Sequence, residues 1–428
     1  MAFTIKTLGT VATYINGRAF KPSEWESHGL PIIRIQNLTN PSAKYNYTSV
    51  SHEEKYRVKK GDLLFAWSAS LGAYIWKNGD GWLNQHIFKV LPNPDITRDY
   101  LYYFLILVVS ELYAKSHGTG MVHITKAPFM ETKIPVPSLP EQERIVARIE
   151  ELFSQLDASV AELQTAKKRL KVYRQAVLKE AFEGKLTECW RKEHPENSLD
   201  DYWAEICKKK EECHNAQHYQ MKEVMTLPEL PDGWKWVCVG DITSGPEYGT
   251  SKKSLKVGAV PVIRMGNLQN GEIDWSDLVF TNDIEEIKKY RLKPNTVLFN
   301  RTNSPELVGK TAIFRGEREA IFAGYLIRLN QFDCINPEYL NYYMNSLIAK
   351  NYGNRVKTDG VNQSNINGKK LCTYPFPLCT RAEQDQVVYE LESRLSVCDS
   401  IEQTVDTALQ QAEALRQSIL KQAFEGKL

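Results

Sequence analysis

From Glu141 to about Phe182 the chain repeats one pattern, with apolar positions at alternating spacings of four and three. They fall at Ile145, Ile149, Leu152, Leu156, Leu163, Leu170 and Val177, with Ser159, Ala166 and Tyr173 in the same register. No proline interrupts the run. The spacing predicts one helix of about 40 residues, roughly 60 Å long. A second, weaker run keeps the register through Val387, Leu391, Arg394, Cys398, Ile401, Val405, Ala408, Ala412, Leu415 and Ile419. Both runs end at Phe-Glu-Gly, where Gly184 and Gly426 can take the left-handed conformation that closes a helix. An ordinary globular helix is about a dozen residues. Two helices this long are therefore expected to pair antiparallel as a coiled coil, with the globular parts at opposite ends.

Outside these runs the pattern is short and β-like. Ile32–Ile35, Leu63–Trp67, Ile87–Leu91, Val262–Met265, Val297–Asn300 and Tyr325–Leu329 read as strands between turn clusters, with helices near Arg98–Lys115 and Pro337–Tyr352. The fold class expected is α+β: two mixed domains, 1–138 and 231–379, each followed by a long helix, 139–186 and 380–428. A polar linker, 187–230, joins the halves, and the second domain opens at the turn Leu230-Pro231-Asp232-Gly233-Trp234.

The two halves are copies. Arg174–Leu186 (RQAVLKEAFEGKL) returns as Arg416–Leu428 (RQSILKQAFEGKL), identical at 10 of 13 positions. Pro31-Ile32-Ile33-Arg34 matches Pro261-Val262-Ile263-Arg264, and Tyr100-Leu101 matches Tyr339-Leu340. Pro135-Val136-Pro137 with Glu141-Gln142 matches Pro375-Phe376-Pro377 with Glu383-Gln384. A period this long means duplication of a whole domain-plus-helix unit, in space a pseudo-twofold internal repeat, and not a solenoid.

Composition narrows the function. No apolar run approaches the roughly 20 residues of a membrane span. The amino terminus lacks a secretory pattern, and the eight cysteines show no framework spacing, so a reducing cytoplasm is expected. The net charge of +2 conceals a division: residues 1–138 carry 15 basic and 10 acidic side chains, and 231–379 carry 19 and 15. The two domains are basic and the remaining segments together carry a net −7, which suits a phosphate-facing surface without demanding one.

Catalytic motifs are missing. Gly309-Lys310-Thr311 lacks the first glycine of a phosphate loop, because Ser304 stands in its place, and reads as a strand turn. Cys207, Cys213, His214 and His218 have zinc-binding side chains, but five residues separate the cysteines and the flanking KKKEE reads as a solvated helix face. No metal, cofactor or catalytic residue is assigned. What remains is a polar set on loops at matching places. In the first half these are Arg34, Gln36, Asn37, Ser68, Ser70, Thr119, His123 and Lys126. In the second they are Arg264, Asn267, Arg301, Thr302, Asn303, Lys357, Asn362 and Gln363. Such side chains can reach base edges while nearby lysines hold phosphates; polar residues also populate every loop.

Two basic variable domains, each leading through Pro-x-Pro…Glu-Gln into a helix that closes with LKEAFEGKL or LKQAFEGKL, resemble the specificity subunit of type I restriction–modification enzymes. Leu186-Thr187-Glu188-Cys189-Trp190-Arg191 is similar to that family's central region. The resemblance implies target-recognition domains reading the two parts of a split, asymmetric duplex sequence, with the helices as a ruler between them. It implies partners: double-stranded DNA, two methyltransferase subunits and restriction subunits, with S-adenosylmethionine bound by the partner. On the residues alone, a coiled-coil scaffold whose end domains bind proteins stays open.

Overall fold

The computed structural model describes residues 3–40, 42–68, 70–115, 126–195, 198–213 and 216–428. Packing divides the chain into two compact units, Met1–Thr165 with Thr404–Leu428, and Ala166–Gln403.

The first unit contains β1 (Thr4–Thr7), α1 (Leu8–Val11), β2 (Ala12–Asn16), β3 (Leu30–Ile33), α2 (Ile35–Thr39), β4 (Asn46–Thr48), β5 (Arg57–Val58), β6 (Leu63–Ala66), β7 (Gly72–Ile75), β8 (Gly81–Leu83) and β9 (Ile87–Pro92). Helices α3 (Arg98–Lys115) and α4 (Lys126–Met130) and strand β10 (Lys133–Val136) complete it. Two four-stranded sheets form, ordered β2-β9-β6-β7 and β4-β3-β8-β5. Strand β6 is buried throughout because each of its faces meets a core. Leu63 and Phe65 join Tyr100, Leu101 and Phe104 of α3, while Leu64 joins Ile33, Trp76 and Leu83.

Strands of the second unit are β11 (Lys235–Cys238), β12 (Thr243–Tyr248), β13 (Val260–Ile263), β14 (Leu268–Gln269), β15 (Glu272–Ile273), β16 (Val279–Thr281), β17 (Thr296–Asn300), β18 (Thr302–Asn303), β19 (Thr311–Phe314), β20 (Ile321–Phe322), β21 (Leu326–Gln331), β22 (Thr358–Asp359), β23 (Ser364–Asn365) and β24 (Pro375–Leu378). Sheets run β12-β21-β17-β19, β16-β13-β20 and β18-β23-β22. Strand β17 is placed as β6 is, with Val297 and Phe299 in one core and Leu298 in another. After α8 (Ile284–Tyr290), the helix expected at Pro337–Tyr352 is two, α9 (Pro337–Met344) and α10 (Leu347–Val356), and α11 (Gly368–Cys372) follows them. The break falls where the Ser346 hydroxyl caps the second by accepting from the Ala349 N–H. Residues 187–230, polar in composition, supply α6 (Glu188–Glu193) and α7 (Leu199–Glu211), and the latter buries Ile206 and Lys210 completely.

The long helices α5 (Leu139–Phe182) and α12 (Arg381–Phe424) start and stop near the expected residues. Gly184 and Gly426 sit at φ +71° and +72°, and Lys185 and Lys427 N–H groups donate back to Glu180 and Gln422, 2.9 Å each. The first turn of each helix holds a buried glutamine. Gln142 Oε1 accepts from the Thr97 N–H (2.8 Å) and its Nε2 donates to the Asp95 and Pro137 carbonyls. Gln384 Oε1 accepts from the Asn336 N–H (2.9 Å) and its Nε2 donates to the Cys379 carbonyl. The duplicated Tyr and Pro-x-Pro meet at the same junction: Tyr100 donates to the Pro135 carbonyl and Tyr339 to that of Pro377, both at 2.8 Å.

The coiled coil predicted from the heptad is not what the helices form. In the first unit the start of α5 and the end of α12 pack into a small bundle with α3: Ile145, Ile149 and Phe153 share a core with Ile419, Leu420, Phe424, Tyr100 and Phe104. In the second unit Val177, Leu178 and Phe182 join Val387, Val388 and Leu391 around Tyr339 and Tyr343 of α9. Between these ends the expected seam is interrupted: Cys398, Val405 and Ala412 are buried, but Ser159, Tyr173, Ile401 and Leu415 are exposed. Apolar spacing marks a buried stripe without saying what covers it. Here a third helix of the globular part covers both ends, so the two-stranded seam is replaced by short bundles.

Candidate nucleic-acid interface

In each unit two of the predicted residues meet where parallel strands end. Strand β3 pairs in parallel with β8, and just beyond it the Asn84 N–H donates to the Ile33 carbonyl. The turn Asn84-Gln85-His86 follows, and the Trp67 N–H donates to the His86 carbonyl (3.2 Å). Arg34 and Ser68, far apart in sequence, thus lie at one edge. The second unit repeats this path: Ala323 N–H to Ile263 carbonyl (2.9 Å), then Arg301 N–H to Tyr325 carbonyl (3.0 Å). Arg264 and Arg301 stand at the corresponding places.

Two of the predicted residues build the loops. Asn37 and Asn267 are buried. Their Oδ1 atoms accept from the Arg34 and Arg264 N–H groups (3.0 and 2.9 Å), and their Nδ2 atoms donate to loop carbonyls of Ala43 and Lys44, and of Asp274 and Asp277. This Arg-x-x-Asn pattern, legible in both copies, fixes the turn that presents the arginine. The arginines then differ. Arg34 lies over the Trp25 ring at 5.3 Å, whereas Arg264 pairs with Asp277 at 3.0 Å. Gln36 is exposed and donates to the Lys44 carbonyl. Ser68 is buried and Ser70 exposed. Lys126 starts α4, whose Phe129 stacks on Phe65 at 4.7 Å. Thr119 and His123 lie outside the described residues.

The second unit joins clusters some sixty residues apart. Thr302 and Asn303 form β18, which pairs with Asn365 and Ser364 of β23, and β23 pairs back onto β22. Lys357 precedes this hairpin and donates to the Pro305 carbonyl; Asn362 and Gln363 lie in its turn. The Ser364 hydroxyl, helped by the Lys357 charge, holds the Asp359 carboxyl below the usual carboxylate range. Arg301 lies 4.8 Å over the Tyr248 ring, and Lys310 reaches Gln269 (3.0 Å). Neither cation has a carboxylate partner among the described residues, which leaves both available to an anion.

Residues not singled out from sequence complete the edge. Asn16 accepts from the Trp67 indole (3.2 Å), and Tyr248 holds the matching place under Arg301. His86 adopts φ +72° and packs on Trp67 at 4.9 Å, and half-exposed Tyr325 occupies its counterpart. The available signal was Gly17 and Gly249, one in each copy. A Cβ at either would run into a backbone carbonyl oxygen, that of Asn84 or that of Phe322.

Other candidate chemistry is resolved by position. Gly309 turns the chain at φ +89° into β19, with its N–H on the Asn300 carbonyl, as a strand turn requires. Cys207 and Cys213 lie on and just beyond α7, His218 approaches Asp241, and His214 lies outside the described residues. Among the described residues no group of three His, Cys, Asp or Glu is arranged to hold a metal ion, and no helix is long and apolar enough to cross a membrane.

Comparison with known proteins identifies the family and the fold. The model of the type I restriction modification DNA specificity domain matches residues 2–168 and 231–411. The EcoKI specificity subunit of Escherichia coli K12 is 28% identical over 454 residues, spanning 100% of this chain and 89% of the relative. The EcoBI specificity subunit of Escherichia coli is 27% identical, spanning 99% and 85%. In fold, the chain is similar to one solved in work on assembly and conformational transition of the type I R-M system, with TM-score 0.69, 18% identity and coverage of 100% and 98%. It is also similar to the HsdS subunit from Thermoanaerobacter tengcongensis, with TM-score 0.50, 18% identity and coverage of 100% and 97%.

Proposed function

Because the chain belongs to the type I restriction modification DNA specificity family, we propose that it reads a bipartite, asymmetric duplex target. Residues 1–138 take one half-site and residues 231–379 the other. The observation that carries this reading is the edge built twice, with Arg34 and Ser68 in one unit and Arg264 and Arg301 in the other beyond matching parallel strands; Gln36 and Ser70, and Thr302, Asn303, Lys357, Asn362 and Gln363, are assigned to the same reading. Thr119, His123 and Lys126 are candidates for the same role from the sequence alone. Asn37 and Asn267 position the arginines from below. Unlike side chains on like frameworks are what reading two different half-sites requires.

Methyl transfer and cleavage then belong to partner subunits. These dock on this chain, two methyltransferase subunits and the restriction subunits, and the methyl donor is bound by the former. The test is to sequence the modified positions in DNA from cells carrying this chain with its methyltransferase partner. Two specified blocks separated by an unspecified gap are expected, and exchanging residues 231–379 for those of a relative is expected to change one block only. A single contiguous motif, or both blocks changing together, overturns the reading. Duplex affinity of the complex is also expected to fall steeply as salt rises, through release of counterions from the phosphates.

A further inference from the structure

The turn between β22 and β23 combines a stiff base with a bare tip. Thr358 pairs with Asn365 and Asp359 with Ser364, and the Gly360 N–H donates to the Gln363 carbonyl at 2.7 Å. Below it the Asn365 amide donates to the Thr302 hydroxyl (2.7 Å), the Lys370 ammonium to the Thr358 hydroxyl (2.5 Å) and the Ile366 N–H to the Arg301 carbonyl (2.8 Å). The backbone is thus tied down on three sides. Residues 358–363 are nonetheless all exposed, and Val361 is 100% exposed. The side chains of Asn362 and Gln363 have no hydrogen-bond partner among the described residues. Folding gains nothing from a bare valine at the apex of a polar hairpin, so the arrangement makes sense as one prepared for a ligand.

Resting on the reading of residues 231–379 as a DNA-recognition domain, we infer that this hairpin enters the major groove of its half-site, with Val361 against the C5-methyl group of a thymine and Asn362 or Gln363 on a neighbouring adenine. The chemistry fits each part. A two-stranded ribbon fits the groove, which is about 12 Å wide. An apolar side chain recognises the thymine methyl, and a carboxamide matches the adenine N6/N7 edge in a way no other base reproduces. Arg301 and Lys370 at the base of the hairpin carry charge suited to the flanking phosphates. Immobilising the backbone beforehand removes much of the ordering cost of such a contact.

The test selects binding sites for the full chain from a pool of duplexes with randomised blocks, then measures the selected duplex with thymine or deoxyuridine at each position. One thymine in the block read by the second domain is expected to lose about fourfold in affinity on removal of its methyl, the worth of one buried methyl-sized group. In Val361→Ala the same substitution is expected to have no effect, and Asn362→Ala or Gln363→Ala to relax one adjacent position while the other block stays intact. All three residues are exposed, so thermal stability is expected to stay at the wild-type value. Selected blocks and methyl sensitivity that persist unchanged in all three variants overturn the hairpin's role while leaving DNA reading in place. Uniform weakening across all sequences reduces the tip to a backbone contact and also overturns it. Wild-type chain that selects no sequence sinks the function itself.

Discussion

Phe424 belongs by sequence to the second repeat, yet it is buried in the first unit, where its ring meets Tyr100 and Phe104 edge-on at 5.0 and 5.1 Å. Phe182, its duplicate, meets Tyr339 and Tyr343, both at 5.2 Å. Replacing Phe424 with alanine removes a fully packed ring from a core that α3, α5 and α12 share and that cannot collapse without moving a helix. Such deletions cost about 3–5 kcal/mol, the edge-to-face contacts included. At about 4 kcal/mol, local opening becomes roughly a thousandfold more frequent. Amide hydrogen exchange of the full chain, read peptide by peptide, measures this directly. Phe424→Ala is expected to lose protection by up to that factor in residues 98–113 and 133–153, more than 270 residues away in sequence, with residues 337–356 unchanged. Phe182→Ala is expected to do the reverse. If Phe424→Ala loosens residues 337–356 instead, or leaves α3 protected, the exchange of helix ends between halves is wrong.

The buried glutamines give a second expectation. Gln142→Leu or Gln384→Leu removes three hydrogen bonds at each junction. At about 1 kcal/mol each, roughly 3 kcal/mol is lost from one unit only, measurable by urea unfolding with a probe in each unit. Gly17→Ala and Gly249→Ala drive a methyl into a backbone carbonyl and are expected to displace the turns bearing His86 and Tyr325. Each should abolish recognition of one half-site in a methylation assay, and unchanged recognition of both would contradict the placement of that edge. Arg301→Ala is expected to weaken duplex binding about tenfold at low salt and to lower the salt slope by about one, as titrations at several salt concentrations would reveal. Burial pushes the Lys210 ammonium pKa down, although the Gly240 and Thr243 carbonyls accept from it. The folded state therefore gives up this proton before the unfolded state does, and stability rises with pH through the window below the ordinary lysine value. Lys210→Met is expected to flatten that rise in urea titrations at neutral pH and near pH 10.

Much of the molecule is legible along the chain because the signals are local. The bounds of α5 and α12 follow from proline-free periodicity and from glycines that adopt positive φ. The β6 and β17 strands follow from short apolar runs with a core on either side. The duplicated Arg-x-x-Asn, Tyr, Pro-x-Pro and Glu-Gln motifs each proved to be a joint, since a buried amide or phenol must find a hydrogen-bond partner wherever it occurs. The chain by itself therefore determined where the long helices and the central strands β6 and β17 form, and which short motifs recur in its two halves. Packing decided what lies against them. A stripe of leucines and isoleucines specifies burial without specifying the partner, so the heptad spacing could not distinguish a two-stranded seam from bundles completed by α3 and α9. Nor could it tell that Phe424 fills the first unit and Phe182 the second. The candidate interface is likewise a product of long-range pairing: β3 with β8, β13 with β20 and β18 with β23 bring loops from distant segments to one edge. Hydrogen bonds between residues sixty positions apart leave no periodic trace, and only the folded backbone could bring them together.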